Sequence, residues 1–310
     1  MRIQFVSDIH LEMEPIKKLS EFLKPTAPYL ALCGDICAWY KKERLQTFLQ
    51  YCSKHWKRVF YIAGNHEYYN LPRKHLKDVG GSRSVGQVED WLRSECMKYP
   101  NVSFLQKECV SLPEENCVVV GCTLWTEVAG FATKEAAQLM NDYRLIWNGG
   151  ANPVSVADVN AIHADHLAWL QATLGQIRAG APGARILVLT HHLPSHRMIS
   201  PKFLGNPLNS CFASSALERC AAVKPHAWIF GHSHIRDWKV LDGVLCAINT
   251  HGYEGEHANG GNAINAVLDL QKGQVEGLVP IAVAVAVAEG GSRKRARPCQ
   301  MDDEEEVILL

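Results

Sequence analysis

Short apolar runs rich in Val, Ile, Phe and Tyr recur along this chain, and longer segments with helical spacing separate them. This alternation is typical of a layered α/β fold. Strands are predicted at residues 2–6, 29–33, 59–63, 118–124, 186–190, 227–230, 244–249 and 264–270. Helices are predicted at residues 41–57, 85–99 and 155–178, and Ser155 and Asp158 open the last one at capping-box spacing.

Metal-ligating residue types follow five of the predicted strands. The five loops read Ser7-Asp8-Ile9-His10, Gly34-Asp35, Gly64-Asn65-His66-Glu67, Thr190-His191-His192 and Gly231-His232-Ser233-His234. In an open α/β sheet the carboxyl ends of the strands lie along one edge, so loops that are far apart in sequence converge there. The sequence therefore predicts one site to which all five loops contribute.

The side chains of these loops suit Zn, Mn, Fe or Mg, because these ions bind oxygen and imidazole ligands. Asp8 and His10 are one residue apart, so on an extended segment both point the same way and can chelate one ion. His232 and His234 repeat that spacing. Two such pairs, together with an Asp, an Asn and a further His, exceed what one ion binds. This surplus predicts two metal ions that share a bridging ligand.

Each motif is weak evidence when it stands alone, because a single His is more often structural than metal-bound. His163 and His166 illustrate that alternative, since they lie among apolar residues of the longest predicted helix. For them a structural role is favoured over a metal pair. The joint pattern of the five loops, each after a predicted strand, is a far more specific signal.

The charge balance argues against a long nucleic acid as a partner. Lys and Arg number 32, Asp and Glu also number 32, and before residue 289 the counts are 28 and 26. A nucleic-acid groove needs an excess of basic residues, which this near-neutral body does not supply. Most of the remaining charge forms two opposed runs, Arg293 to Arg297 and Asp302 to Glu306.

The C-terminal part has the composition of an extension rather than a domain. An Ala-Val repeat at residues 281–288 is of low complexity, and the chain from about residue 289 is expected to be disordered. The basic run is either a nuclear localisation signal or, as favoured here, part of a disordered, self-neutralising tail.

The cysteine pattern bears on the compartment. The eleven cysteines are odd in number and include no C-x-x-C pair, which favours a reduced, intracellular protein. We expect it in the cytoplasm, or in the nucleus if the basic run is a signal. The apolar stretches are shorter than the roughly 18 residues of a membrane span, so no membrane association is expected.

The motif blocks resemble those of the calcineurin-like metallophosphoesterase superfamily. The blocks are Asp8-Ile9-His10, Gly34-Asp35, Gly64-Asn65-His66-Glu67, a later His and Gly231-His232-Ser233-His234. Smaller signatures resemble a branch of predicted phosphohydrolases: 121–125 (Gly-Cys-Thr-Leu-Trp), 141–144 (Asn-Asp-Tyr-Arg), 190–195 (Thr-His-His-Leu-Pro-Ser) and 252–253 (Gly-Tyr). The resemblance implies a two-layer β-sandwich flanked by helices, in α/β/β/α order. It also implies a phosphoesterase domain at residues 1–270 and an extension at 271–310.

The resemblance further implies roles for individual residues. One ion falls to Asp8, His10 and His234, the other to Asn65, the strand-end His and His232, and Asp35 bridges both. His66 is expected over the substrate, with Glu67 as a neighbouring support. Aligning from the strand end makes His191 the metal ligand, whereas aligning from Pro194 makes it His192. His191 is favoured, and the other His then supports the site or faces the substrate.

The implied activity is metal-dependent phosphoester hydrolysis. A hydroxide bridging two divalent ions (Mn, Fe, Zn or Mg) attacks a phosphodiester or phosphomonoester in line, and His66 protonates the leaving group as general acid. The expected substrate is small, and Arg144 is either a contact for it or an ordinary surface charge. A nuclease and a non-catalytic metal-binding scaffold of the same fold are the alternatives.

Overall fold

Twelve strands form two six-stranded sheets in the computed structural model, which describes residues 1–13, 15–149, 152–253, 256 and 263–279. The strands are β1 (Arg2–Val6), β2 (Tyr29–Cys33), β3 (Arg58–Ile62), β4 (Val102–Phe104), β5 (Glu108–Leu112), β6 (Cys117–Gly121), β7 (Arg185–Leu189), β8 (Ala227–Phe230), β9 (Arg236–Leu241), β10 (Val244–Asn249), β11 (Val267–Asp269) and β12 (Gln274–Glu276). The first sheet has the order β12-β11-β1-β2-β3-β4, and the second has the order β5-β6-β7-β8-β10-β9.

Helices fill the longer connections between strands. They are α1 (Leu19–Phe22), α2 (Lys42–His55), α3 (Val85–Cys96), α4 (Thr133–Leu139), α5 (Asp142–Leu145), α6 (Val156–Gly180) and α7 (Ala216–Arg219). Short 3-10 helices lie at Trp39–Lys41, His66–Tyr68, Arg73–Val79, Pro113–Glu115, Gly130–Ala132, His196–Met198, Pro201–Phe203, Pro207–Cys211 and Ala263–Asn265. The predicted capping box is confirmed, because Ser155 and Asp158 bond each other's backbone N–H at the start of α6.

Each sheet has a parallel centre. Strands β1 to β4 run parallel in one sheet, and β6, β7, β8 and β10 run parallel in the other. The carboxyl ends of each set therefore meet at one edge. The two edges touch where Ser7, just after β1, forms a parallel bridge with Thr250, just after β10. This contact brings the loops of both sheets to one place.

Buried apolar residues pack between the two sheets and on the outer face of each sheet. Strand residues such as Phe5, Phe60 and Leu187 pack between the sheets. On the outer face of the first sheet Phe48 of α2 and Leu92 of α3 belong to a second buried cluster. A third cluster covers the outer face of the second sheet with residues 167, 170 and 174 of α6. The predicted α/β/β/α order is confirmed.

The four strands that the sequence did not predict, β4, β5, β9 and β12, are the four edge strands of the two sheets. An edge strand pairs on one side only and is often short or charged, so it lacks the continuous apolar run of a central strand. β9 reads Arg-Asp-Trp-Lys-Val-Leu, and β5 alternates partly buried and exposed residues. The period-based prediction therefore found the sheet centres and missed their borders.

A strand pair of the first sheet lies across the predicted boundary at residue 270. β12 pairs antiparallel with β11, which in turn pairs with β1, so the hairpin is part of the first sheet. We propose that the domain extends to at least Glu276. The Ala-Val repeat and the charged runs lie outside the described residues. Among the helices of the described ranges, none combines the length and apolarity needed to cross a membrane.

Candidate metal centre

Five residues at the carboxyl ends of the strands have left-handed backbone conformations, with positive φ at Asp8, His10, Asp35, His232 and His234. Such conformations are costly for residues other than glycine, and they concentrate at functional sites. The extended segments expected for residues 8–10 and 232–234 are therefore not observed. Turns, rather than strand alternation, aim these side chains into the site.

The first cluster, called here the Asp8 group, consists of Asp8, His10 and His234. The Nε2 atoms of His10 and His234 lie 3.2 Å apart. The Nε2 atom of His234 is 3.4 Å from Oδ1 of Asp8. Burial alone would lower the pKa of His234, but hydrogen bonds to Asp8 and Glu256 raise it to about 10.

The second cluster, called here the Asp35 group, consists of Asp35, His191 and His232. Nε2 of His191 lies 3.4 Å from Oδ2 of Asp35 and 3.0 Å from Oδ1 of Asn65. Burial alone would raise the pKa of Asp35, but the neighbouring histidines, His191 foremost, hold it well below its usual range. His232 and His234 thus belong to different clusters, as the family resemblance implied and in contrast to the shared ion that their spacing alone suggested.

The histidine nitrogens are arranged as metal ligands are. Nδ1 of His10 lies 3.0 Å from Oε1 of Glu12, and Nδ1 of His234 lies 2.7 Å from Oε2 of Glu256. If both Nδ1 atoms donate to these carboxylates, the two facing Nε2 atoms are the ring nitrogens left to bind a metal ion. In the second cluster, Nε2 of His232 is buried without a hydrogen-bond partner among the described residues. Both observations fit cations bound at these clusters.

Glycines permit the close approach of the loops. At Gly231 a Cβ atom would lie 2.6 Å from Oγ of Ser7 and 2.7 Å from Oδ2 of Asp8, so no side chain fits there. Gly34 has a φ of +87°, and a Cβ atom there would lie 2.7 Å from N of Gly64. The glycine before each of these two turns is therefore a packing requirement.

Glu67 joins two of the loops. Its buried carboxylate accepts hydrogen bonds from the backbone N–H groups of Asp35, Ile36 and Gly64, and from the hydroxyl of Tyr61. Burial and the charge of Asp35 raise the pKa of Glu67 to about 7. The resemblance implied Glu67 as the support of His66, but its hydrogen bonds hold the backbone around Asp35 instead.

The side chain that supports His66 is Glu12, which the sequence reading missed. Oε1 of Glu12 lies 2.9 Å from Nδ1 of His66 and 3.0 Å from Nδ1 of His10. Burial alone would raise the pKa of Glu12, but hydrogen bonds to these two histidines lower it. Glu12 is the next residue at the two-residue spacing of Asp8 and His10, and this spacing could have found it.

His66 faces the cavity beside the clusters. Its backbone N–H donates to Oδ1 of Asp35 at 2.8 Å, and its Nε2 lies 3.5 Å from the hydroxyl of Tyr253. Burial alone would lower the pKa of His66, but the charge of Asp35 and the hydrogen bond to Glu12 raise it. These two neighbours therefore offset the effect of burial on the imidazole.

Asn65 is oriented by a buried acid. Its Nδ2 donates to Oδ1 of Asp142 at 2.9 Å, and the hydroxyl of Tyr69 donates to the same oxygen at 2.7 Å. These bonds leave Oδ1 of Asn65 facing His191. Asp142 lies in the 141–144 signature, and the sequence reading gave a role there only to Arg144.

The two adjacent histidines after β7 have different surroundings. Nδ1 of His191 lies 2.9 Å from the carbonyl oxygen of Cys33, and its Nε2 faces Asp35. His192 instead stacks on His232 and on Trp125, with ring centroids 4.2 and 5.2 Å apart. The clusters found among the described residues include His191 and not His192.

Other candidate residues lie apart from the site. Arg144 is exposed, donates to Oδ1 of Asn141 at 2.6 Å, and lies outside the cavity lining formed by the described residues. Nδ1 of His163 bonds the carbonyl oxygen of Leu124 at 3.0 Å. Burial lowers the pKa of His166 to about 3, so this histidine is a neutral core residue.

Comparison with known proteins identifies the family of this chain. The sequence model of the family described as Calcineurin-like phosphoesterase matches residues 1–236. The chain belongs to this family. As a calcineurin-like phosphoesterase, it is a hydrolase that acts on phosphoric ester bonds.

Two curated proteins resemble this phosphoesterase along most of their length. An uncharacterized protein of Acanthamoeba polyphaga mimivirus is 28% identical over 281 residues, which cover 84% of this chain and 94% of that protein. The [Acyl-carrier-protein] phosphodiesterase PptH of Mycobacterium tuberculosis is 24% identical over 280 residues, which cover 81% of this chain and 78% of that protein.

A solved structure shares the fold. The crystal structure of the phosphopantetheinyl hydrolase PptH from Mycobacterium tuberculosis superposes with a TM-score of 0.68 at 16% sequence identity. The match covers 93% of this phosphoesterase and 98% of that chain.

Proposed function

We propose that this chain is a phosphodiesterase that depends on two divalent metal ions. In this proposal Asp8, His10 and His234 hold one ion, Asn65, His191 and His232 hold the other, and Asp35 contacts both. The unpartnered Nε2 of His232 and the facing Nε2 atoms of His10 and His234 are the observations that support the assignment. When bound, two such ions would neutralise phosphate charge and lower the pKa of water, which supplies a nucleophile for in-line hydrolysis.

His66 is the proposed general acid. It lines the cavity, and its Nδ1 is held by the carboxylate of Glu12. Glu12 thereby aims Nε2 of His66 at the cavity and stabilises the positive charge that an acid must carry before it donates its proton. Asp35 contributes in the same direction, because its Oδ1 accepts the backbone N–H of His66.

Tyr253 is proposed to shield His66 from water. Its ring lies 4.6 Å from the ring of His10 and 4.7 Å from that of His234, and its hydroxyl approaches His66. The backbone N–H of Gly252 donates to the carbonyl oxygen of Asp8, so the position of Tyr253 depends on the β1 loop. In this position Tyr253 limits the access of water to the space between the clusters and His66.

A diester is the preferred substrate for two reasons. The relative PptH is named a phosphodiesterase, and the cavity beside the clusters continues well past the ligand residues. A phosphate with a second organic arm uses this space, whereas a compact monoester leaves it unfilled. A nuclease activity is not favoured, since the body of the chain is nearly neutral.

The test begins with metal-depleted protein. Full-length chain is dialysed against chelator, reconstituted with Mn²⁺, Fe²⁺, Zn²⁺ or Mg²⁺, and assayed with bis(4-nitrophenyl) phosphate and 4-nitrophenyl phosphate. We expect at least one metal to restore turnover and the diester to have the higher kcat/KM. A phosphopantetheinylated carrier protein is tested alongside as a natural diester. Full activity in the metal-free protein, or a clear preference for the monoester, contradicts the proposal.

Asp35→Asn tests the assignment of the shared ligand. We expect this variant to bind at least one metal ion fewer per chain and to lose turnover. Asp237→Asn is the matched control, since Asp237 is a buried carboxylate paired with Lys239 in β9. If Asp35→Asn retains both ions and wild-type turnover, the assignment of Asp35 as the shared ligand is wrong.

A further inference from the structure

The cavity beside the metal clusters has a second half that contains none of the proposed metal ligands and not the proposed acid. The whole cavity has a volume of about 360 Å³, in the range of small-molecule binding sites. One end is lined by proposed catalytic and ligand residues, among them Asp35, His66 and His232. The rest of the lining includes six apolar residues, called here the apolar wall, together with the polar residues Ser200, Lys202, Asn206 and Asn209. The apolar wall consists of Leu139, Met140, Ile199, Phe203, Leu208 and Phe212.

Two segments of the chain build the apolar wall. The C-terminal end of α4 supplies two of its residues, and the segment at residues 199–212 supplies the other four. In that segment two 3-10 helices begin at Pro201 and Pro207, whose fixed φ suits a helix start. The wall is thus held by defined local structure that lies outside both sheets.

The apolar wall is continuous with the metal centre. The ring of Phe212 packs on the ring of His232, with centroids 4.8 Å apart and an interplanar angle of 31°. At the outer end Leu139 and Phe203 remain 50% and 44% exposed. Apolar side chains that line a concave surface in contact with water gain free energy when a ligand covers them.

We propose that the apolar wall binds the organic arm of the substrate, so that the enzyme selects phosphoesters with an extended apolar arm over compact ones. The proposal rests on the proposed function, since the phosphate must bind at the clusters for its arm to reach the wall. Continuity of one cavity from Asp35 to Phe203 argues for a small-molecule arm rather than a second protein as the occupant.

Alkylphosphonates test the proposal directly, because they carry one arm and a carbon–phosphorus bond that the enzyme does not hydrolyse. The dissociation constants of methyl-, butyl- and octylphosphonate are measured by calorimetry with Mn²⁺-loaded full-length protein. A methylene that is buried in an apolar site gains roughly two- to fourfold in affinity. We therefore expect octylphosphonate to bind at least roughly 100-fold more tightly than methylphosphonate.

Two variants test whether the alkyl arm binds at the apolar wall. Leu139→Asn and Phe203→Asn replace partly exposed side chains without adding charge. We expect each to reduce the ratio of the dissociation constant of methylphosphonate to that of octylphosphonate by roughly fivefold or more. Met97→Asn is the matched control, because Met97 is 78% exposed and follows α3 rather than lining the cavity. This control should keep the wild-type ratio. Thermal melts establish that all three variants fold.

The outcomes separate the two proposals. If methylphosphonate binds but affinity does not rise with chain length, the apolar wall is not the arm site and the inference is overturned. If affinity rises with length equally in the wild type and in both wall variants, the arm binds elsewhere and the inference is again overturned. If no phosphonate binds with or without Mn²⁺, the proposed function itself fails, and the inference fails with it.

Discussion

The substitution Glu12→Gln tests whether Glu12 supports His66 as the proton donor. One oxygen of Glu12 bonds Nδ1 of both His66 and His10, at 2.9 and 3.0 Å. The Gln side chain has the same shape but no charge, and a hydrogen bond to a charged group contributes about 1.5 to 3 kcal/mol. If this stabilisation is lost when His66 acts as an acid, the rate falls by roughly 10- to 150-fold.

The loss should depend on the leaving group, because a good leaving group departs without a proton. The assay compares a series of aryl methyl phosphodiesters, from 4-nitrophenol to unsubstituted phenol, at saturating Mn²⁺. For Glu12→Gln we expect kcat/KM to fall less than roughly threefold with 4-nitrophenol. With phenol we expect a fall of roughly 10- to 100-fold. Metal content is measured in each preparation by atomic emission.

Glu256→Gln is the matched control. Glu256 bonds Nδ1 of His234 at 2.7 Å and so supports the Asp8 group as Glu12 does, but through a different histidine. We expect it to weaken metal binding by roughly 10- to 100-fold without any dependence on the leaving group. If Glu12→Gln slows all leaving groups equally, or slows none, then Glu12 does not act through His66 and the reasoning is refuted.

Four further results are expected. His191→Gln should lose at least one bound metal ion per chain by atomic emission, whereas His192→Gln should keep both, and equal losses would contradict the assignment. Asp142→Asn should weaken metal binding by roughly 10- to 100-fold in a calorimetric titration, because Nδ2 of Asn65 loses its carboxylate partner. Chelation of the metals should lower Tm by roughly 5 to 10 °C, since a ligand at 100 times its Kd stabilises by about 2.7 kcal/mol. The pKa of His166 is about 3 in the folded chain and about 6.5 in the unfolded chain. As the pH falls, the unfolded state therefore binds a proton before the folded state does. The free energy of unfolding then decreases below about pH 6.5. His166→Leu should remove about 2 kcal/mol of the loss between pH 7 and pH 5 in urea melts. His75→Gln, a substitution at an exposed histidine, should not change it.

The sheet centres and the five ligand-bearing loops could be predicted because their signals are local. A central strand is apolar on both faces and reads as a short continuous run, as β2 does with all five residues buried. The residue after such a strand lies at the sheet edge wherever the strand itself is placed. This rule pointed to Asp8, Asp35 and Asn65, and it favoured His191 over His192.

The long-range contacts of the site have no local signal. Glu12 reaches His66 across 54 residues of sequence, and Asn65 reaches Asp142 across 77. Nothing in the spacing of such residues states that their side chains meet. The edge strands were missed for a related reason, since pairing on one side leaves their sequences free to be polar.

The sequence by itself determined the fold class, the layered order through its family resemblance, and the identity of the candidate ligands. The family resemblance implied how they are grouped, but only the tertiary structure shows the contacts: His232 and His234, two residues apart, belong to different clusters, while His10 and His234, far apart in sequence, face each other at 3.2 Å. The physical reason is that left-handed turns at the strand ends, not the strand period, direct these side chains. That conformation depends on close contacts between the two sheets, which exist only after the chain has folded.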